Sequence, residues 1–259
     1  MAIIPDQPSL QVEVLVNGTP LQEYDDDEVE ASPTSVTKYI EAKSGAEFAI
    51  RWTFTPPFPK NTVMLDIFLD GKWMRGVFAN QKNFHGIAPY SYMITGAVHE
   101  VGKGWFERKF CFSKLTVTDA DARSTDEKVN LVLKEMGNIT VKAHNVKNLT
   151  TSASQTLSKA TKDRVGPVPE KSLKGSALSH QATLGKAQAS RKQDVLTCDY
   201  IDPNKRPFAT FNMKYRSRDA LQSLLVIPRP AAPLPLEERN VDDLTPEEMR
   251  ELLRRQRAS

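Results

Sequence analysis

Apolar and polar residues alternate along much of the chain, the period-two signature of strands that bury one face. Between Val36 and Phe54 two such arms flank a turn containing Gly45: Val36, Ile40 and Ala42 in the first, with Lys38 discordant, and Phe48, Ile50, Trp52 and Phe54 in the second. This pattern predicts a β-hairpin whose apolar face needs a second layer to cover it. An opening strand runs through Leu10, Val12, Val14 and Val16 into an Asn17-Gly18 turn. Val63, Leu65, Ile67 and Leu69 lead into Asp70-Gly71, the strongest short hairpin signal in the chain. Tyr90, Tyr92 and Ile94 run toward Gly102-Lys103-Gly104, and Phe106, Phe110 and Phe112 continue beyond it, predicting a third hairpin. Phe78 to Pro89 lacks periodicity and reads as a loop.

Helical spacing is rarer. Ser124 and Glu127 form a capping-box pattern ahead of Val129, Val132, Leu133 and Met136, with Gly137 placed to end the helix. Ile139, Val141 and Ala143 open another strand, and 195–201 and 209–215 read as two closing strands. Ser217 is placed to cap a short helix carrying Leu221, Leu224 and Leu225, stopped before Pro228. The fold predicted is mainly β: an antiparallel β-sandwich of about eight strands with one or two short helices and a separate C-terminal helix.

Composition divides the chain further. From Leu149 to Lys192 there are two acidic and eight basic residues and almost no aromatics, too little apolar surface to offset ordering entropy. The division expected is a single domain over 1–227 with a flexible basic insertion at about 150–192, a proline-rich linker over 228–240 and a charged helix over 241–259. In that last helix Thr245 is the N-cap, Pro246 the first helical residue, and Glu247 and Glu248 fill the first turn. Met249, Leu252 and Leu253 form a narrow apolar stripe, flanked by Arg250 and Arg254.

The formal charge of +3 hides an asymmetry: 16 basic and 19 acidic residues up to Thr150 leave −3, and 19 against 13 beyond it leave +6. The start, MAIIPDQPSL, has neither a basic segment nor an apolar stretch of signal-peptide type, and Cys111 and Cys198 are too few for a disulfide framework. An intracellular protein, cytoplasmic or nuclear, with reduced thiols is expected.

Candidate chemistry is sparse. His85, His99, His144 and His180 share no metal-ligand spacing, Asp25-Asp26-Asp27 lacks the glycine an EF-hand loop needs, and Cys198 sits beside Asp199, which disfavours a thiolate. No catalytic, cofactor-binding or metal-binding residue is assigned; no cofactor and no membrane contact are expected. By elimination the chain reads as a non-catalytic protein-interaction module whose tail engages an unknown protein partner through Met249, Leu252, Leu253, Arg250 and Arg254. The alternative is a nucleic-acid- or chromatin-associated protein using its basic insertion and arginine-rich tail on phosphates.

Several stretches, MAIIP, VTKYIEAKSGAEFAIRW, FLDGKW, EKSLKGSALSH, RPFATFNMKYRSRDALQSLLVIPR and LTPEEMRELLRRQR, together resemble the fungal domain-of-unknown-function family 7918. The resemblance spans most of the chain. It implies one family domain reaching to about Pro228, with the lysine-rich Ser172 to Gly185 segment as part of the family pattern, and no assigned activity, cofactor or catalytic residue.

Overall fold

The computed structural model describes residues 2–30, 32–102, 104–118, 134–151, 168–169, 177–229 and 244–258. In chain order its strands are β1 (Ala2–Ile4), β2 (Gln7–Val16), β3 (Thr19–Pro20), β4 (Glu23–Asp25), β5 (Ser35–Glu41), β6 (Glu47–Phe54), β7 (Thr62–Leu69), β8 (Lys72–Ala79) and β9 (Tyr90–Ile94). They continue as β10 (Gly96–Val101), β11 (Gly104–Lys114), β12 (Val117–Thr118), β13 (Asn138–Thr151), β14 (Val168–Pro169), β15 (His180–Ser190), β16 (Leu196–Tyr200) and β17 (Ala209–Arg216). Two helices follow, α1 (Arg218–Ser223) and α2 (Pro246–Ala258). The chain divides into two compact units, Met1–Ile227 and Pro228–Ser259.

The first unit holds two main sheets. One has eight strands in the order β1-β2-β6-β11-β10, with β3 on β2, β9 on β6 and β15 on β11; the other has seven in the order β4-β5-β17-β13-β7-β8, with β16 on β13. Val14, Ile50, Trp52 and Phe110 from the first and Leu65, Ile67, Val141 and Phe211 from the second share one buried core. Phe112 meets Tyr215 across it with ring centroids 5.1 Å apart. Each such side chain contributes about 1.5–3 kcal/mol by leaving water. The two-layer, mainly-β architecture is the one the alternation predicts. The sheets hold more strands than the eight expected, because short edge segments such as β1, β3 and β4 are too brief to show a period.

The pairing departs from expectation at the centre. β5 and β6 are not a hairpin: β5 pairs β17 in parallel and β4 antiparallel, while β6 pairs β2, β9 and β11 in the facing sheet. Ala42 donates its N–H to the Arg216 carbonyl at 2.7 Å, and Gly45, at φ +82°, donates to the Phe112 carbonyl at 2.7 Å, so the connection steps from one sheet to the other within a few residues. Alternation fixes which face is buried and says nothing of which edge a strand joins. The parallel β5–β17 ladder also makes the second sheet mixed, where an antiparallel one was expected.

Turn chemistry decides the other pairings. Asp70 and Gly71, at φ 51° and 74°, join β7 to β8 as expected. β8 continues to Ala79, into the stretch read as loop, and a short 3-10 turn follows over Gln81–Asn83. The tip at 102–104 joins β10 to β11, while Tyr90–Ile94 forms the separate strand β9 on β6. β16 and β17 pair successive parts of β13 and not each other.

The insertion expected over about 150–192 needs correction where it is described. His180–Ser190 is strand β15, antiparallel to β11. Main-chain pairing and burial of His180, Gln181 and Thr183 supply the order that composition does not advertise. Residues 152–167 and 170–176 lie outside the described residues. So does the helix expected from Ser124, save its end, where Gly137 has φ 68°.

Candidate functional site

A cleft of about 540 Å³ opens at the β8 edge of the seven-stranded sheet, where Tyr92 and Val98 of the facing sheet also line it. Its floor is set by strand periodicity. Leu65 and Ile67 on β7 point into the core, so Met64, Asp66 and Phe68 point outward. The register of β8 slips between Ile67 and Phe68, which brings Trp73 opposite Phe68 and Gly76 opposite Asp66 on the same outer face. A Cβ on Gly76 would lie 3.0 Å from Asp66 Oδ1 and 3.7 Å from Trp73 Cζ2, so the glycine lets the indole and the carboxylate lie flat over the strand. Trp73 Nε1 donates to Asp66 Oδ1 at 2.8 Å, fixing the ring. Tyr92 on β9 and the segment 193–196 complete the walls, where Arg75 donates to Gln193 Oε1 at 2.7 Å.

Behind Asp66 lies a set of titratable groups that sequence spacing did not bring together. His144 Nε2 on β13 is 4.0 Å from Asp66 Oδ2, and its ring meets Tyr200 edge-on at 5.2 Å. Cys198 Sγ lies 3.8 Å from Met64 Sδ. Burial pushes the Asp66 carboxyl up, against the Trp73 hydrogen bond and the favourable electrostatics of His144 and Lys142. Burial pushes the His144 imidazole down, against the Asp66 carboxylate. The Cys198 thiol is pushed up by burial and then by Asp66 and Asp199. The arrangement therefore holds a neutral imidazole and a protonated thiol at neutral pH, the opposite of an activated Cys–His pair. Its signal in the sequence was only the outward parity of Asp66 and Trp73.

A second buried cluster ties the sheets together. Asp70 Oδ1 accepts from the Tyr215 hydroxyl and, at 2.8 Å, from the Gly137 N–H, while Oδ2 accepts from the Ala182 N–H of β15 at 2.7 Å. Burial pushes the Asp70 carboxyl up although all these donors pull it down. In the acidic loop, Asp26 is buried and pairs with Lys214 at 2.6 Å. Among the described residues no group of three or more His, Cys, Asp or Glu side chains is gathered for a metal ion, and no helix is long and apolar enough to cross a membrane.

The five residues singled out in the tail all lie on α2. Thr245 Oγ1 accepts from the Glu248 N–H at 3.3 Å and Glu248 Oε2 accepts from the Thr245 N–H at 2.9 Å, a reciprocal cap. Met249 and Leu253, one turn apart, are 37% and 49% exposed, and Leu252 is half-buried. Arg250 and Arg254 are exposed, Arg254 within 3.7 Å of Glu251. Of the basic insertion, the described bases Lys186, Arg191 and Lys192 sit on or just after β15, exposed.

No curated protein and no solved structure matches the chain. One family model, a domain of unknown function, matches residues 9–230, which takes in nearly all of the two-sheet unit and stops short of α2. On that match over most of its length, the chain belongs to the DUF7918 family.

Proposed function

We propose that this protein is a non-catalytic, intracellular protein-interaction module that presents α2 to an apolar groove with an acidic rim on a partner protein. One observation carries the reading: α2 belongs to a compact unit of its own, is capped at its N-terminus, and exposes Met249 and Leu253 on one face beside Arg250 and Arg254. An exposed apolar pair at i, i+4 on a short helix is the pattern of a helix laid into a groove. The arginines match an acidic rim and set orientation and approach rate more than affinity. The protonated thiol and neutral imidazole near Asp66 favour a binding role over a catalytic one.

The test is affinity recovery with the full chain and with a Met249→Asp, Leu253→Asp variant, at low and at raised salt. Loss of the partner in the variant, an unchanged melting temperature and modest salt dependence support the reading. Steep salt dependence points instead to phosphate-driven contacts, and a lowered melting temperature makes the stripe part of the fold.

A further inference from the structure

The cleft at the β8 edge holds an incomplete electrostatic pairing. Asp66 is 9% exposed, and its Oδ1 is committed to the Trp73 indole. Its Oδ2 makes no hydrogen bond among the described residues; the group facing it is His144 at 4.0 Å. Burial keeps that imidazole neutral at neutral pH, so it brings no full charge. Lys142, opposite Asp66 on β13, supplies a favourable positive field without a hydrogen bond, its ammonium lying over the Phe68 ring at 4.9 Å. Arg75, the cation in the cleft wall, donates to Gln193 and makes no ion pair among the described residues. A buried carboxylate without a direct counter-charge is costly to keep, and the cost is recovered when a cation binds.

The walls are suited to a particular kind of cation. Trp73 and Tyr92 come from the two different sheets, line the same cleft, and are 45% and 39% exposed. Trp73 is locked by its bond to Asp66, and Tyr92 is backed by Trp52 with ring centroids 5.3 Å apart. Rigid aromatic surfaces beside a carboxylate attract a weakly hydrated cation through the ring quadrupole, and least of all resist a group that has no N–H to satisfy. The volume of about 540 Å³ is that of a small-molecule site.

We propose that this cleft binds an organic cation, an alkylated ammonium group on an apolar body, with Asp66 as counter-charge and the Trp73 and Tyr92 rings as walls. The site is separate from α2 and stands whether or not that helix has a partner.

The test is isothermal titration of the full chain with choline chloride and, at matched ionic strength, with its uncharged isostere carrying a tert-butyl group in place of the trimethylammonium. Choline is expected to saturate the site and to bind at least about tenfold more tightly than the isostere. Trp73→Ala and Asp66→Asn are each expected to weaken choline by about tenfold; asparagine can still accept from the indole. Equal binding of choline and isostere, no saturation by choline, or undiminished choline binding in Asp66→Asn overturns the proposal. The comparison of the two ligands uses the unaltered chain and is independent of how the variants fold. A trimethyllysine peptide titrated alongside separates the two sources of such a group: tighter binding of the peptide assigns it to a modified side chain, and equal or tighter binding of choline to a free small molecule.

Discussion

Tyr215→Phe removes one hydroxyl from a fully buried side chain and leaves its ring against Phe112 in place. The hydroxyl donates to Asp70, which is 5% exposed and keeps the backbone N–H groups of Gly137, Asn138 and Ala182 as partners. A hydrogen bond to an ionised group contributes about 1.5–3 kcal/mol, and that is the loss expected at neutral pH. The pH dependence follows from the direction in which Asp70 is displaced. Burial holds its folded-state carboxyl above the ordinary value of 3.8. Its stabilising contribution is therefore fully present below the unfolded pKa and is lost as pH rises through the folded one. Tyr215→Phe takes away a donor that favours the carboxylate, which raises the folded pKa further. The deficit of the variant should thus be smallest in acid, where Asp70 is protonated in both proteins, and should widen as pH rises. Urea melts of both proteins between about pH 3.5 and 8 measure it. A deficit below about 0.5 kcal/mol at neutral pH, or one that does not change with pH, refutes the reasoning.

Phe48→Ala should lose about 3–5 kcal/mol in the same melts, because Phe48 is 3% exposed and stacks on Phe112 at 4.3 Å; a loss below about 1 kcal/mol would put the residue outside the core. Lys214→Met should lose about 2–3 kcal/mol, less than a fully buried pair, because it strands the Asp26 carboxylate, whose side chain is 1% exposed, while Lys214 itself is partly solvated; an unchanged melt contradicts this. Iodoacetamide should modify Cys198 more slowly at neutral pH than it modifies free cysteine, since burial, Asp66 and Asp199 all hold the thiol protonated; an equal or faster rate contradicts the assignment.

What the sequence made legible was local. Asp70-Gly71 announced its hairpin because left-handed backbone angles are a property of two adjacent residues, and Ser217 and Thr245 announced their helices because a cap is formed within four. The step at Gly45 was misread because the same alternation suits a hairpin and a crossing between facing sheets; what separates them is the partner, β17 for one arm and β2 for the other. β15 was hidden for a related reason: Ala182, Thr183, Leu184 and Gly185 carry little apolar surface, and their order comes from the long neighbour β11. The cleft at the β8 edge was hardly readable at all. It joins Asp66, Trp73 and Tyr92 through a bulge in β8 and through two sheets, and neither is written in spacing.

As a docking element, α2 is proposed to gain its order from the partner. Amide hydrogen exchange over residues 246–258 tests it most directly, in the full chain alone and bound to the partner recovered through it. A capped helix of 13 residues is marginal in water by itself, so its amides should exchange quickly in the free protein and slow markedly in the complex. Protection already equal to that of β13 in the free protein, or no change on binding, would contradict the account.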